Sequence, residues 1–177
     1  MTKSLAAELE LLANHMTSET AGNQQLSIPS LGERIAKELQ LKPDEVAILA
    51  VSEKQKSLNF LAPEALRNVG SIPLSSTSAL AARTARESRP EIQNNFSTVR
   101  HVTVFEGVKA DNLNASAIQK IISAPILFEG KVIGVMQISR KAATVAGAGP
   151  DFTPDDLGRV LAICQPLGKL IRHAVGS

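Results

Sequence analysis

One cysteine and three histidines are the residues of this chain best suited to nucleophilic, redox or metal chemistry. Their spacing argues against each use. Cys164 has no second cysteine to pair with, which excludes an internal disulfide and any cysteine-rich zinc or iron–sulfur site. It falls in the stripe Leu157, Val160, Cys164, Leu167 and Ile171 of a predicted helix, so burial or contact with a partner helix is its expected role. His15, His101 and His173 are scattered, no two stand at metal-ligand spacing, and no metal is expected. His15 and His173 read as solvated residues of terminal helices. His101, beside Arg100 in a predicted strand, either faces a pocket as a donor or haem ligand or lies exposed. No serine sits in a G-x-S-x-G elbow. Gly147-Ala-Gly149-Pro150 lacks the Gly-Lys-Ser/Thr that completes a phosphate loop, and reads as a flexible connection. No catalytic residue is therefore expected. An enzyme would need His101 to converge with Cys164 or a nearby serine in one cleft.

Hydroxyls are better placed than thiols or imidazoles. Ser75, Ser76, Thr77 and Ser78 precede a predicted helix, where they either cap it or, with its free amides, receive an anion. Arg83, Arg86 and Arg89 recur every third residue along that helix, as a solvated basic face or a contact for an acidic partner.

These groups are carried by a 177-residue chain, 44% apolar and 20% charged, which suits one globular domain. No apolar run approaches the roughly 18–20 residues that span a bilayer, and Glu8, Glu10 and His15 interrupt what a signal peptide would leave uncharged. A cytoplasmic, reducing location is the expectation, without membrane contact. The net charge of +2 is uninformative about nucleic acid, but five Phe with no Trp or Tyr equip the chain poorly for base stacking, and no nucleic-acid partner is expected.

The elements follow from periodicity and caps. Leu5, Leu9, Leu12 and Met16 form a narrow a/d stripe, read as a pairing helix within residues 1–22 and outside the main core. Ser30 and Glu33 fit a capping box for a helix that Pro43 ends near Leu41. The apolar run 46–51 reads as a strand buried on both faces, with 57–61 returning as its hairpin partner. A short helix at 63–68 and an edge strand at 72–74 follow, then the helix from Ser78 to about Ser88, stopped by Pro90. Residues 91–119 read as irregular apart from a strand at 99–105. Two β-rich runs, 121–128 and 131–139, flank Glu129-Gly130 and predict a hairpin. Thr153 as N-cap, Pro154 in first position and Asp155 and Asp156 open a last helix to about His173, with Pro166 inside it. The sum is an α+β sandwich: a five- to six-stranded, mainly antiparallel sheet with helices on its faces and a flanking N-terminal helix.

Three segments carry a resemblance. Ala124-Pro125-Ile126 leads through a glycine turn into Gly130-Lys-Val-Ile-Gly134-Val-Met-Gln137, and Phe152-Thr-Pro-Asp-Asp-Leu157 starts the closing helix. Together they resemble the C-terminal half of a GAF domain, and the upstream elements are compatible with one over residues 26–175. The resemblance implies a GAF/PAS-like fold and a module that senses a small molecule or contacts proteins, passing a signal along flanking helices across a dimer. Ser76, Thr77, Asn94, Asn95, His101, Ser123 and Gln137 are the polar residues that this topology places around the helix-to-sheet cavity. They suit a small hydrogen-bonding metabolite better than a stacked purine. Leu5, Leu9, Leu12, Met16, Val160, Cys164 and Leu167 are the expected homodimer interface. The enzymatic branch of the family, the free-methionine sulfoxide reductases, needs several cysteines, and bilin attachment needs one at the pocket. Neither pattern is present, and no cofactor is expected. A degenerate module with a filled cavity, serving only protein contacts, is the alternative. A downstream signalling protein of unknown identity would read the module's state.

Overall fold

The hairpin around Glu129-Gly130 is the spine of the molecule. β-Branched residues crowd both runs, and the two-residue link turns with positive φ at both positions, 52° at Glu129 and 78° at Gly130. The computed structural model describes residues 5–15, 28–67, 70–96 and 118–175. Within them the order is α1 (Leu5–His15), α2 (Ile28–Glu38), β1 (Val46–Ser52), β2 (Ser57–Ala62), β3 (Ser71–Pro73), α3 (Leu80–Glu87), β4 (Glu91–Gln93), β5 (Ile118–Phe128), β6 (Lys131–Lys141) and α4 (Pro154–Val175). The strands form one antiparallel sheet, ordered β3-β2-β1-β6-β5-β4. The expected α+β sandwich is therefore present, with six described strands.

Alternation along the central strands splits the core in two. Val46, Ile48, Ala50, Ile122, Ala124, Ile126, Met136 and Ile138 point to one face, where α1, α2 and α4 cover them. Ala47, Leu49, Ile121 and Val135 point to the other, with α3 and the β2–β3 region. Central strands buried on both sides explain the continuous apolar run at the start of β1.

Several boundaries differ from the sequence expectation. α2 begins at Ile28, so Ser30 and Glu33 lie inside it and no capping box forms at Ser30. Pro29 fits there because first-turn amides have no intrahelical partner. α3 begins at Leu80 with Ala79 as N-cap, so none of the four preceding hydroxyls caps it directly. The Ser76 hydroxyl instead accepts the Ala79 amide at 3.1 Å. Residues 91–93, expected to be irregular, form β4, and β5 starts three residues earlier than its apolar run suggests. The strand expected at 99–105 lies outside the described residues. α4 starts as expected: Thr153 and Asp156 exchange backbone-to-side-chain hydrogen bonds of 2.9 and 3.2 Å, with Pro154 in the first turn.

The largest correction concerns the terminal helices. Leu5, Leu9 and Ala13 are buried in the same core as Val160, Cys164, Leu167, Leu170 and Ile171. α1 thus belongs to the main core rather than standing outside it, and Leu5 and Leu9 of the first stripe pack in one core with Val160, Cys164, Leu167 and Ile171 of the second. Leu5, Leu9, Val160, Cys164 and Leu167 have no free surface to offer as a dimer interface. Of the remaining interface candidates, the Leu12 side chain and Met16 lie outside the described residues. Heptad-like spacing reports only that a partner helix exists; here that partner is in the same chain.

Candidate functional site

The α3 face of the sheet carries an unusual load of polar side chains. Gln137, Ser139 and Lys141 alternate along β6 on this face, and all three are buried. Register places Ser123 of β5 beside Gln137 and Ile121 beside Ser139. The Gln137 amide donates to the Ser123 hydroxyl at 3.1 Å, and that hydroxyl lies 2.7 Å from the Thr84 hydroxyl of α3. Thr84 donates to the Leu80 carbonyl at 2.9 Å, so Ser123 must supply the proton between the two hydroxyls and accept from Gln137. Threonine suits this position because its hydroxyl can bond the preceding helical turn while its methyl packs.

The lower end of the column is ionic. The Lys141 side chain is fully buried; its ammonium donates to the Asp44 carbonyl at 3.0 Å and stands 3.6 Å from the Asp44 carboxylate. The Glu45 carboxylate is buried too and accepts two amides, Lys42 at 2.9 Å and Lys141 at 2.7 Å. Ser139 donates to the Glu45 carbonyl at 3.3 Å. Pro43–Glu45 form a single 3-10 turn before β1, which holds both carboxylates at the sheet's edge of the column.

A second polar set holds the loop between β6 and α4. Asn94, in the turn after β4, donates to the Phe152 carbonyl at 3.1 Å and accepts its amide at 2.8 Å. The buried Lys120 ammonium donates to the Gly149 carbonyl at 2.7 Å and to Asp151 at 2.6 Å. Arg140 lies 4.7 Å from the centre of the Phe152 ring. Gln119 donates to the Ala142 carbonyl at 2.8 Å.

Of the predicted site residues, Ser123 and Gln137 meet in one network. Ser76 and Thr77 lie in the turn before α3, Ser76 engaged by Ala79 and Thr77 exposed. Asn94 is committed to the α4 loop, and Asn95 beside it is exposed. His101 lies outside the described residues. Of the six described candidates, the structure joins Ser123 and Gln137 in one network and places Ser76, Thr77, Asn94 and Asn95 elsewhere. Thr84, Ser139 and Lys141 are new members. The β6 sequence held part of the signal, since Gln137 and Ser139 stand at period two around the apolar Ile138, while Arg140 before Lys141 breaks the alternation. The arginine stripe is not a free basic face either. Arg83 pairs with Glu91 at 2.6 Å, Arg86 donates to the Leu74 and Ser76 carbonyls, and Arg89 pairs with Glu87 at 3.0 Å.

Cys164 faces the α1/α4 core, away from this column, and burial pushes its thiol up from 9.0 to about 12. A thiol so raised offers almost no thiolate nucleophile at neutral pH. Among the described residues no group of His, Cys, Asp and Glu is placed to hold a metal ion, and no helix is long and apolar enough to cross a membrane.

Residues 30–171 match the GAF domain family, and the chain belongs to that family. Among solved structures, it is similar to the GAF domain of the Acinetobacter phosphoenolpyruvate-protein phosphotransferase, at 15% identity and a TM-score of 0.66, over 97% of this chain and 94% of that one. A methyl-accepting chemotaxis protein fragment, residues 122 to 287, aligns at 15% identity and a TM-score of 0.62, over 89% and 96%. The free methionine-R-sulfoxide reductase of Neisseria meningitidis, in complex with its substrate, aligns at 12% identity and a TM-score of 0.62, over 97% and 88%. At these identities the likeness is one of fold. Among curated proteins none matches the chain.

Proposed function

We propose that this chain is a regulatory GAF module without catalytic activity, receiving a small hydrogen-bonding molecule on the α3 face of its sheet. A signalling protein would read the occupied state. The observation that carries this reading is the polar column of Gln137, Ser139 and Lys141 with Ser123 and Thr84. Buried polar groups are expensive, and apolar side chains of similar size often fill such a space at least as well. A recognition floor gives these groups a use that packing does not. Similar folds in a chemotaxis protein and in a substrate-bound reductase are compatible with a ligand-receiving role. The buried, non-acidic Cys164 thiol argues against redox turnover here.

The decisive measurement is native mass spectrometry of the protein isolated from its own cells. A retained mass that disappears in Gln137→Leu supports the reading. The mutual bonding of Thr84, Ser123 and Gln137 favours a second one, a closed module serving only protein contacts. In that case no mass is retained, and Thr84→Val with Ser123→Ala and Gln137→Leu leaves partner binding intact.

Self-association, part of the same proposal, must use other surface than the buried stripes. Leu11 of α1 is 43% exposed and Leu161 of α4 is 38% exposed, and these outer helix positions are where we place contact with a second copy.

A further inference from the structure

A groove of about 640 Å³ opens at the opposite end of the molecule from Lys141, where the β1–β2 and β5–β6 turns lie side by side against the last turns of α4. Part of its wall lies on the other side of the sheet from the polar column, although Val51 at its rim packs with the α3-face cluster. Ala50, Ile133 and Ile171 in its wall belong to the core beneath α4, and Phe128 and Val132 extend that apolar wall outward. Its volume falls within the ~300–1,000 Å³ common for small-molecule sites.

The charges around it are unequal. Lys131 is paired with Glu53. Lys54 and Arg172 have no acidic partner among the described residues, and Glu129 is the carboxylate left to face them. The Arg172 guanidinium stands 5.9 Å from the centre of the Phe128 ring, so the ring carries the cation at the edge of the apolar wall. One net positive charge beside an apolar surface suits a monoanion with an apolar body. A planar carboxylate matches the guanidinium fork, while Glu129 at the same mouth works against a doubly charged anion.

We infer that this groove is a second ligand site, taking a small monocarboxylate whose apolar body lies on Phe128, Val132 and Ile133 and whose carboxylate meets Arg172, with Lys54 adding to the attraction. The site is independent of the α3-face reading and stands or falls without it.

The test is amide-resolved NMR of the full chain titrated with 3-phenylpropionate. Its uncharged twin 3-phenylpropionamide and inorganic phosphate serve as comparisons. The expected shifts gather at residues 53–54, 128–133 and 171–172. The amide binds about tenfold more weakly, the loss expected for one charge-assisted hydrogen bond. Arg172→Gln brings the acid down to the affinity of the amide, and Lys54→Gln weakens it less. Both side chains are at the surface, so these variants leave the core intact. Equal binding of acid and amide, phosphate competing as well as the acid, an unchanged affinity in Arg172→Gln, or no shift at millimolar probe would each overturn the assignment. So would shifts confined to Thr84, Ser123 and Gln137, which would support the α3-face site instead.

Discussion

Cys164 shows how far a single environment can redirect a residue. Its sulfur is a poor nucleophile because the apolar surroundings cannot stabilise a thiolate, and the folded pKa of about 12 lies above the ordinary 9.0. The sign of the linkage follows. The neutral thiol is favoured by the fold, so this contribution is complete below pH 9 and is lost as pH climbs toward 12, where the unfolded chain releases the proton first. The stability difference between the native protein and Cys164→Ala should therefore shrink between pH 8 and about 10.5, measured by urea unfolding at each pH. A difference that stays constant would mean the thiol ionises equally well in both states. Individual polar residues were only partly legible. Ser123 and Gln137 could be named because the family topology brings their strands to the helix-to-sheet cavity, but the side of the sheet each faces follows only from the register. Lys141 could not, since a lysine at a strand end ordinarily reaches water, whereas here its ammonium is held by the Asp44 carbonyl and faces the Asp44 carboxylate. Thr84 gave no warning, because its role depends on which turn of α3 meets β5.

Elements were readable where local chemistry and tertiary context agree. The β5–β6 hairpin and the Thr153–Asp156 helix start were plain, since β-branched runs, a glycine turn and a capping pair act over a few residues. β4 was invisible because three residues, Glu91-Ile92-Gln93, carry no period, and only the pairing with residues 121–123 defines them. At the helix–sheet contact, glycines decide what is possible. A methyl group on Gly168 of α4 would run into the Leu127 carbonyl of β5, whereas one on Gly158 meets nothing within 4 Å. Gly168→Ala should lower stability by about 2 kcal/mol or more, because backbone cannot yield as a flexible side chain does. Gly158→Ala should raise it by ~0.5–1 kcal/mol through helix propensity. Chemical unfolding of the two variants checks both signs, and equal behaviour would mean the α4–β5 approach is looser than described.

At the scale of the whole molecule, periodicity identified the faces of α1 and α4 but not their partner. The same leucines could close a core or join two chains, and the spacing is identical in either case. The structure puts Leu9 in the intrachain core and leaves Leu161 outside. Leu9→Ala should accordingly cost about 2–5 kcal/mol of folding stability. Leu161→Glu should leave the melting transition nearly unchanged while lowering the mass seen by light scattering if copies associate through that face. A folded Leu9→Lys protein of reduced mass would reverse the assignment, returning the seam to an interchain role. The position of α1 also has a practical consequence for anyone preparing fragments. Family resemblance begins at residue 30, yet the wall that shields Val160, Cys164 and Leu167 from solvent includes residues 5–13. A recombinant piece trimmed to the recognisable boundaries would emerge with a bare greasy strip along its longest rod, and its clumping in the test tube would be an artefact of the scissors rather than a sign of natural assembly.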